Sequence, residues 1–339
     1  MPHRPVRWRP PSARRGTPVA LPVSVVELPS RGAEDVLIDR EGAVVTGLTN
    51  GDVVRVSAKG SVVLGNTGGR PLGIEEYPDG NLLVCDHDKG LLRLDVATGK
   101  VEVLVDEVDS KPLHFCSNAV IGADGTIYFS SSSETATWQE FRADVIDHAT
   151  SGRRTCVRPD GKVTVLRRDL AFANGVVLAP DESYLLVAET IGYRILKFWL
   201  KGPRAGEWAD FVSGIPGFPD NISLSASGLV WVSLPSPRVS VLDFLLPRHP
   251  ILRQFAHRVP QRLQPQPRSI VWVQAYDLGG GLVHDIKTRH PRFSFVTAAA
   301  ESGGTVWLAS AHHDVLGRID LSELNVWARR IYPRRSDLP

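Results

Sequence analysis

Val176-Val177-Leu178-Ala179-Pro180-Asp181-Glu182-Ser183-Tyr184-Leu185-Leu186-Val187 reads as a hairpin: an apolar run, a tight polar turn, and a β-rich run. The same pattern recurs along the chain. Val36-Leu37-Ile38 leads through Asp39-Arg40-Glu41-Gly42 into Val44-Val45, and Leu72-Gly73-Ile74 through Pro78-Asp79-Gly80 into Leu82-Leu83-Val84. Ala119-Val120-Ile121 passes Asp124-Gly125 into Ile127-Tyr128-Phe129. Ile222-Ser223-Leu224 passes Ser227-Gly228 into Leu229-Val230-Trp231-Val232, and Ala298-Ala299-Ala300-Glu301 passes Gly303-Gly304 into Val306-Trp307-Leu308.

Most hairpins are followed by a third β-rich run, such as Arg194-Ile195-Leu196-Lys197-Phe198-Trp199, and some by a fourth, such as Val101-Glu102-Val103-Leu104. Four short antiparallel strands per unit, six times over, predict an all-β six-bladed propeller. A string of unrelated hairpins in an α+β protein is the alternative. The propeller is expected over residues 33–324, between a basic Pro/Arg-rich segment 1–32 and a basic tail 325–339. Arg4, Arg7, Arg9, Arg14 and Arg15 in front, and Arg329, Arg330, Arg334 and Arg335 behind, read as solvated tails. Residues 241–268 break the rhythm with Arg, Pro and an amphipathic pattern, which predicts a partly helical insertion before the last blade. It reads as a lid over a binding site or as a helix in peripheral contact with a membrane surface.

A net charge of +2 gives no case for nucleic acid as a partner. No apolar run reaches the length of a membrane span, and the N-terminal segment has no apolar core of a secretion signal. Cys85, Cys116 and Cys156 have no metal-type spacing and cannot form a disulfide framework, so a cytoplasmic location is expected.

The chemistry lies where each unit's first strand opens, about eight positions before the turn glycine. Glu34, Leu72, Asn118, Asn174 and Asp220 stand there in turn, with Val296 or Thr297 in the last unit and Asp35 and Asn221 as polar neighbours. A propeller gathers such positions around one channel. Four oxygen-bearing side chains facing one another would repel and lose their hydration unless a cation lies among them. Oxygen donors without Cys or His point to Ca²⁺, with other divalent cations as alternatives. Bound there, Ca²⁺ would polarise an ester or lactone carbonyl.

These residues resemble the strictosidine synthase-like proteins, within the wider group that contains paraoxonases and senescence-marker-protein gluconolactonases. The resemblance runs over about 33–322 and is firmest at Arg70-Pro71-Leu72-Gly73-Ile74, Ala173-Asn174-Gly175-Val176, Ala188-Glu189-Thr190, Lys197–Pro203 and Gly217-Phe218-Pro219-Asp220-Asn221-Ile222. Leu242-Asp243-Phe244-Leu245 resembles the animal adipocyte membrane-associated arylesterase branch. The resemblance implies that Glu34, Asn118, Asn174, Asp220 and Asn221 match the catalytic-calcium ligands of paraoxonases. Ala119 stands in place of an acidic ligand to a second, structural calcium, so one ion is expected. Of a paraoxonase histidine pair, one member falls on His87 and the other on Leu72. The acid–base glutamate of true strictosidine synthases falls on Glu301.

Three functions follow as expectations. The first is a Ca²⁺-dependent hydrolase of a small ester or lactone, with His87, Glu301 and Asp220 as candidate catalytic groups. The second is a condensing enzyme or lyase using Glu301. The third is a propeller that binds without catalysis.

Overall fold

The computed structural model describes residues 7–14, 16–134, 136–138, 140–248, 250, 253 and 269–324. Six four-stranded antiparallel sheets follow one another around a closed ring, as the repeat predicts. Their first strands are Leu37–Ile38, Pro71–Glu76, Cys116–Ile121, Ala173–Leu178, Ile222–Leu224 and Val296–Ser302, defining blades 1 to 6. Each first strand touches the next, and the sixth returns to the first, so these strands surround the axis.

The turns are held by their own aspartates. Asp39, Asp79, Asp124 and Asp181 each accept a backbone N–H two residues on through Oδ1, at 2.9–3.0 Å, which fixes the bend before the second strand. The core is divided among the blade interfaces. Val45 and Val53 of blade 1 pack on Ile74, Leu82 and Val84 of blade 2. Leu83 and Leu91 of blade 2 pack on Phe129 of blade 3, and Ala188 and Ile195 of blade 4 on Val232 and Trp272 of blade 5. At two places along the channel the first strands come too close for a side chain. A Cβ on Gly73 would lie 2.6 Å from the Asn118 Cα, and one on Gly175 would lie 2.3 Å from the Ile222 nitrogen.

Two features differ from expectation. Ser24–Glu27, inside the expected N-terminal segment, pairs with Val315–Asp320 and is the outer strand of blade 6. The chain's beginning thereby closes the ring onto its end, a pairing between residues almost a whole chain apart that no local pattern announces. Residues before that strand are also not simply solvated. Trp8 stacks on His148 at 4.0 Å, Arg14 donates to the Ser213 carbonyl at 2.8 Å, and Val19 bridges to Ile286. The C-terminal tail 325–339 lies outside the described residues.

The insertion is placed within blade 5, between its second strand Val230–Ser233 and third strand Val271–Tyr276. Of 241–268, only 241–248, 250 and 253 are described, and their regular element is the short helix Ser240–Leu245 (α2). Blade 3 has an insertion at the equivalent connection, carrying the helix Phe141–Asp147 (α1). (α1 precedes α2 in the chain.) Arg253 bridges the two: it is fully buried and donates to the carbonyls of Ile146 and Asp147 at 3.1 and 2.8 Å, at the C-terminal end of α1. A cation there satisfies carbonyls that the helix leaves open.

Candidate metal centre and its mouth

Strand direction alternates within each blade, so two kinds of segment emerge on the same face. They are the chain entering each first strand and the connection between each second and third strand. The expected donors are all on this face. Glu34, Asn118, Asn174, Asp220 and Asn221 are 2–8% exposed.

Hydrogen bonds tie them into one ring. Asn174 donates its side-chain amide to Asp220 Oδ1 and accepts from the Ser117 hydroxyl at 2.8 Å. Asn118 accepts the Val176 N–H at 3.1 Å and donates to Asp35 Oδ2 at 3.2 Å. Asn221 donates to the Glu34 carbonyl at 3.3 Å, which also accepts the Thr297 hydroxyl at 2.8 Å. Thr297 therefore completes the last unit's contribution, while Leu72 supplies no donor to the ring.

Two ring oxygens, Glu34 Oε2 and Asn221 Oδ1, are buried without a hydrogen-bond partner among the described residues. Burial raises the Glu34 carboxyl from its ordinary value of 4.5 to about 7, with Arg70 opposing and Asp35 adding to the rise. Burial raises Asp220 as well, and the negative charge of Glu34 adds to it. Orphaned oxygens and carboxyls held away from their charged state are what an oxygen-ligand cation site looks like without its cation. No three His, Cys, Asp or Glu side chains form a metal cluster among the described residues, so carboxamides must complete the donor set here. Ca²⁺ accepts such mixed carboxylate and amide oxygens. The residues therefore fit the ion.

Asp35 is spent differently. Its Oδ1 accepts the Val36 N–H at 2.9 Å, and its Oδ2 accepts the Ile74 N–H at 3.0 Å besides Asn118. It joins blades 1, 2 and 3 as a hydrogen-bond hub.

His87 lies on the same face, in the turn between the second and third strands of blade 2. Its Nδ1 is 2.7 Å from Asp88 Oδ1, and its Nε2 is buried without a partner among the described residues. A carboxylate only accepts, so Nδ1 carries the proton and Nε2 is left as the acceptor. Asp86 Oδ1 holds this turn by accepting the N–H groups of Arg70, Asp88 and Lys89 at 3.1, 2.8 and 3.1 Å.

Glu301 is not brought to the ring. It lies four residues beyond Thr297 along the same strand, about 13 Å away at the usual rise, beside the turn to the second strand. There Oε2 accepts the Ser227 hydroxyl at 3.1 Å and Oε1 the Gly304 N–H at 3.1 Å. It stands at the opposite end of its strand from the ring.

Sequence reasoning missed the wall above the ring. Leu72, Phe115, Phe172 and Ile191 form an apolar cluster there, with Trp138 and Phe141 packed against it. Phe115 meets the His87 ring edge-on at 4.5 Å. The signal was present as a second periodicity: Phe172, Phe218 and Phe295 stand two residues before Asn174, Asp220 and Thr297. Phe172 and Phe295 hold left-handed backbone, φ 62° and 57°, as does Phe115 at 52°. Such angles are uncommon in bulky residues and cluster at functional sites.

Comparison with known proteins agrees with this architecture. The strictosidine synthase family profile matches residues 117–203, and that of the strictosidine synthase-like N-terminal region matches 24–56. The chain is 33% identical over 291 residues to the Arabidopsis thaliana protein strictosidine synthase-like 6, covering 83% of this chain and 76% of that one. It is 31% identical over 309 residues to the adipocyte plasma membrane-associated protein of Salmo salar, covering 83% and 74%. Among solved structures it is similar to a gluconolactonase from Xanthomonas campestris (TM-score 0.64, 17% identity, covering 88% of this chain and 89% of that one). It is also similar to the calcium-binding protein regucalcin from Agrobacterium tumefaciens (TM-score 0.63, 17% identity, covering 90% and 95%). At these identities the structures speak for the fold. The relatives, alike over most of their length, place this chain in the strictosidine synthase-like family.

Proposed function

We propose that this chain is a Ca²⁺-dependent hydrolase of an ester or lactone, acting at the mouth of the channel. The observation that carries the reading is the ring of Glu34, Asn118, Asn174, Asp220 and Asn221, with Glu34 Oε2 and Asn221 Oδ1 buried and unpartnered. These five side chains would hold the ion. When bound, Ca²⁺ supplies a Lewis acid that polarises a carbonyl and offsets the charge formed on attack.

The remaining roles belong to the chain's own residues. His87 Nε2 accepts a proton from the attacking water, with Asp88 holding the ring's tautomer and orientation. Leu72, Phe115 and Phe172 keep water away from the apolar part of the substrate. Asp220 serves as a ligand, and its hydrogen bond from Asn174 holds its carboxylate in place. Glu301, at the other end of its strand, has no step in this scheme. The names of the gluconolactonase and regucalcin lend the reading support by analogy only.

The location belongs to the same proposal. Three buried, free cysteines suit a cytoplasmic enzyme. No helix among the described residues is long and apolar enough to cross a membrane.

The test is a panel of aryl esters and lactones assayed with Ca²⁺ and with EDTA. Turnover that is lost on chelation and regained with Ca²⁺ supports the reading. Turnover indifferent to EDTA refutes it.

A further inference from the structure

Arg70 enters the first strand of blade 2 on the face of the metal ring, two residues before Leu72, at the position held by Phe172, Phe218 and Phe295 in other blades. Blade 2 thus carries a guanidinium where three other blades carry a phenylalanine. Its Cζ lies over the Trp138 ring, 3.8 Å from the centroid, a cation–π contact that leaves the N–H groups to other partners. Its Nε and Nη2 are buried and have no hydrogen-bond partner among the described residues.

The bland account is that Arg70 is the internal counter-ion of Glu34. The two charges do attract one another, but no hydrogen bond joins them: Glu34 Oε2 and Arg70 Nε and Nη2 are buried and unpartnered among the described residues, so the donors of Arg70 are not used up by Glu34. The Arg70 backbone is fixed on both sides, its N–H by Asp86 Oδ1 at 3.1 Å and its carbonyl by the His87 N–H at 2.9 Å. The guanidinium is therefore positioned by the same turn that carries the candidate base. Burial lowers the Arg70 pKa, while Glu34, Asp88 and Asp86 favour its charge and Arg31 opposes it, so the guanidinium is the cation of an otherwise largely acidic neighbourhood.

We propose that Arg70, laid on Trp138 beside the Leu72–Phe115–Phe172 wall, is an acid-recognition subsite, and that the substrate is an ester or lactone pairing an apolar or aromatic body with a free carboxylate. This rests on the hydrolase reading for the word substrate, but the subsite itself does not. A planar guanidinium takes a carboxylate through two parallel N–H···O bonds, which a neutral ligand of the same shape cannot match. The wall accommodates the apolar body. The ester or lactone carbonyl then lies toward the metal ring and His87, on the other side of the gap between Arg70 and Glu34.

The experiment compares binding of 4-phenylbutyrate with its neutral amide, 4-phenylbutyramide, to the full chain by calorimetry, in EDTA and again in Ca²⁺. We expect the acid to bind about tenfold tighter than the amide in both conditions. Arg70→Gln should bring the acid down to the amide's affinity, and Arg70→Lys should restore only part of the difference. Equal affinities in the wild type would overturn the proposal, and that comparison needs no variant to fold. A preference that survives Arg70→Gln, or that vanishes in EDTA, would also overturn it by assigning the carboxylate to another residue or to the ion. Binding here does not require turnover. An acid preference in a protein that hydrolyses no ester would keep the subsite and discard the hydrolase reading.

Discussion

Asn174 donates its side-chain amide to Oδ1 of Asp220, a residue 46 positions away on the neighbouring blade. That contact leaves Asp220 oriented and Asn174 with its own Oδ1 turned to Ser117, so the ring is held in shape by hydrogen bonds before any ion enters. A preformed ring lets most of the binding energy of a cation appear as stability.

We therefore expect Ca²⁺ to raise the melting temperature, with about 2.7 kcal/mol of added stability at a hundred times its Kd. Asp220→Ala should abolish that gain and lower kcat/KM by about 100-fold or more. Calorimetry that detects no Ca²⁺ binding, with Glu34→Gln and Asp220→Asn leaving stability and activity untouched, would sink the central site.

The same ring sets a pH dependence. Burial raises Glu34 from 4.5 to about 7 and Asp35 from 3.8 to about 6, the latter against hydrogen bonds from Ile74, Val36 and Asn118 that lower it. Raised carboxyls bind more protons in the folded state than in the unfolded state, so they cost stability as pH climbs from the unfolded value through the folded one. In EDTA, stability should fall between about pH 4 and pH 7, by on the order of 3 kcal/mol from Glu34. Glu34→Gln should flatten the slope, and Ca²⁺ affinity should tighten over the same window as protons leave. Urea unfolding across pH, with and without the ion, measures all three; stability that rises through this window in EDTA, with a slope unchanged in Glu34→Gln, would contradict it.

Much of this was legible in advance, for a physical reason. Turn chemistry and alternating apolar runs are local, so the six hairpins, and the polar residue that opens every first strand but the second, could be read without coordinates. Closure of blade 6 by Ser24–Glu27 was not, because it pairs residues from the two ends of the propeller. The wall of Phe115, Phe172 and Trp138 was hidden for a related reason: Trp138 arrives from a connection within blade 3, and only its folding back sets it over Arg70. That Glu301 stands at the far end of its strand from the ring could not be read from a family resemblance, which carries no strand ends.

Arg253 makes the two insertions one structure. Its buried guanidinium holds the last carbonyls of α1, so Arg253→Ala removes a charged donor and leaves two carbonyls open. A loss of about 2–4 kcal/mol in global stability is expected, read by urea unfolding. Preference among bulky and small esters should change several-fold, with Ca²⁺ affinity within about twofold of wild type, since no ring residue is touched. An unchanged substrate profile, together with liposome binding lost on deleting 241–268, would make the insertion a membrane-contact element instead.

The last prediction separates hydrolysis from condensation by position. His87 and Glu301 are both candidate proton carriers by sequence, but they occupy opposite faces of the propeller. His87 has its Nδ1 proton directed at Asp88 and its Nε2 buried toward the mouth; Glu301 is engaged with Ser227 and Gly304 beside a surface turn. A proton acceptor must come within hydrogen-bond reach of the water it activates, and of these two only His87 shares a face with the ring. His87→Asn should therefore lower kcat by about 100-fold to 10,000-fold while Ca²⁺ affinity is kept. Asp88→Asn should lower it less, because it frees the ring's orientation without removing the acceptor. Glu301→Gln should leave kcat within about twofold, since a glutamine oxygen can still accept the Gly304 N–H, its amide can donate to the Ser227 hydroxyl, and the site is about 13 Å away. An EDTA-insensitive reaction between an amine and an aldehyde that depends wholly on Glu301 would reverse this order. It would place the active site on the other face and make the metal ring a structural feature of the channel.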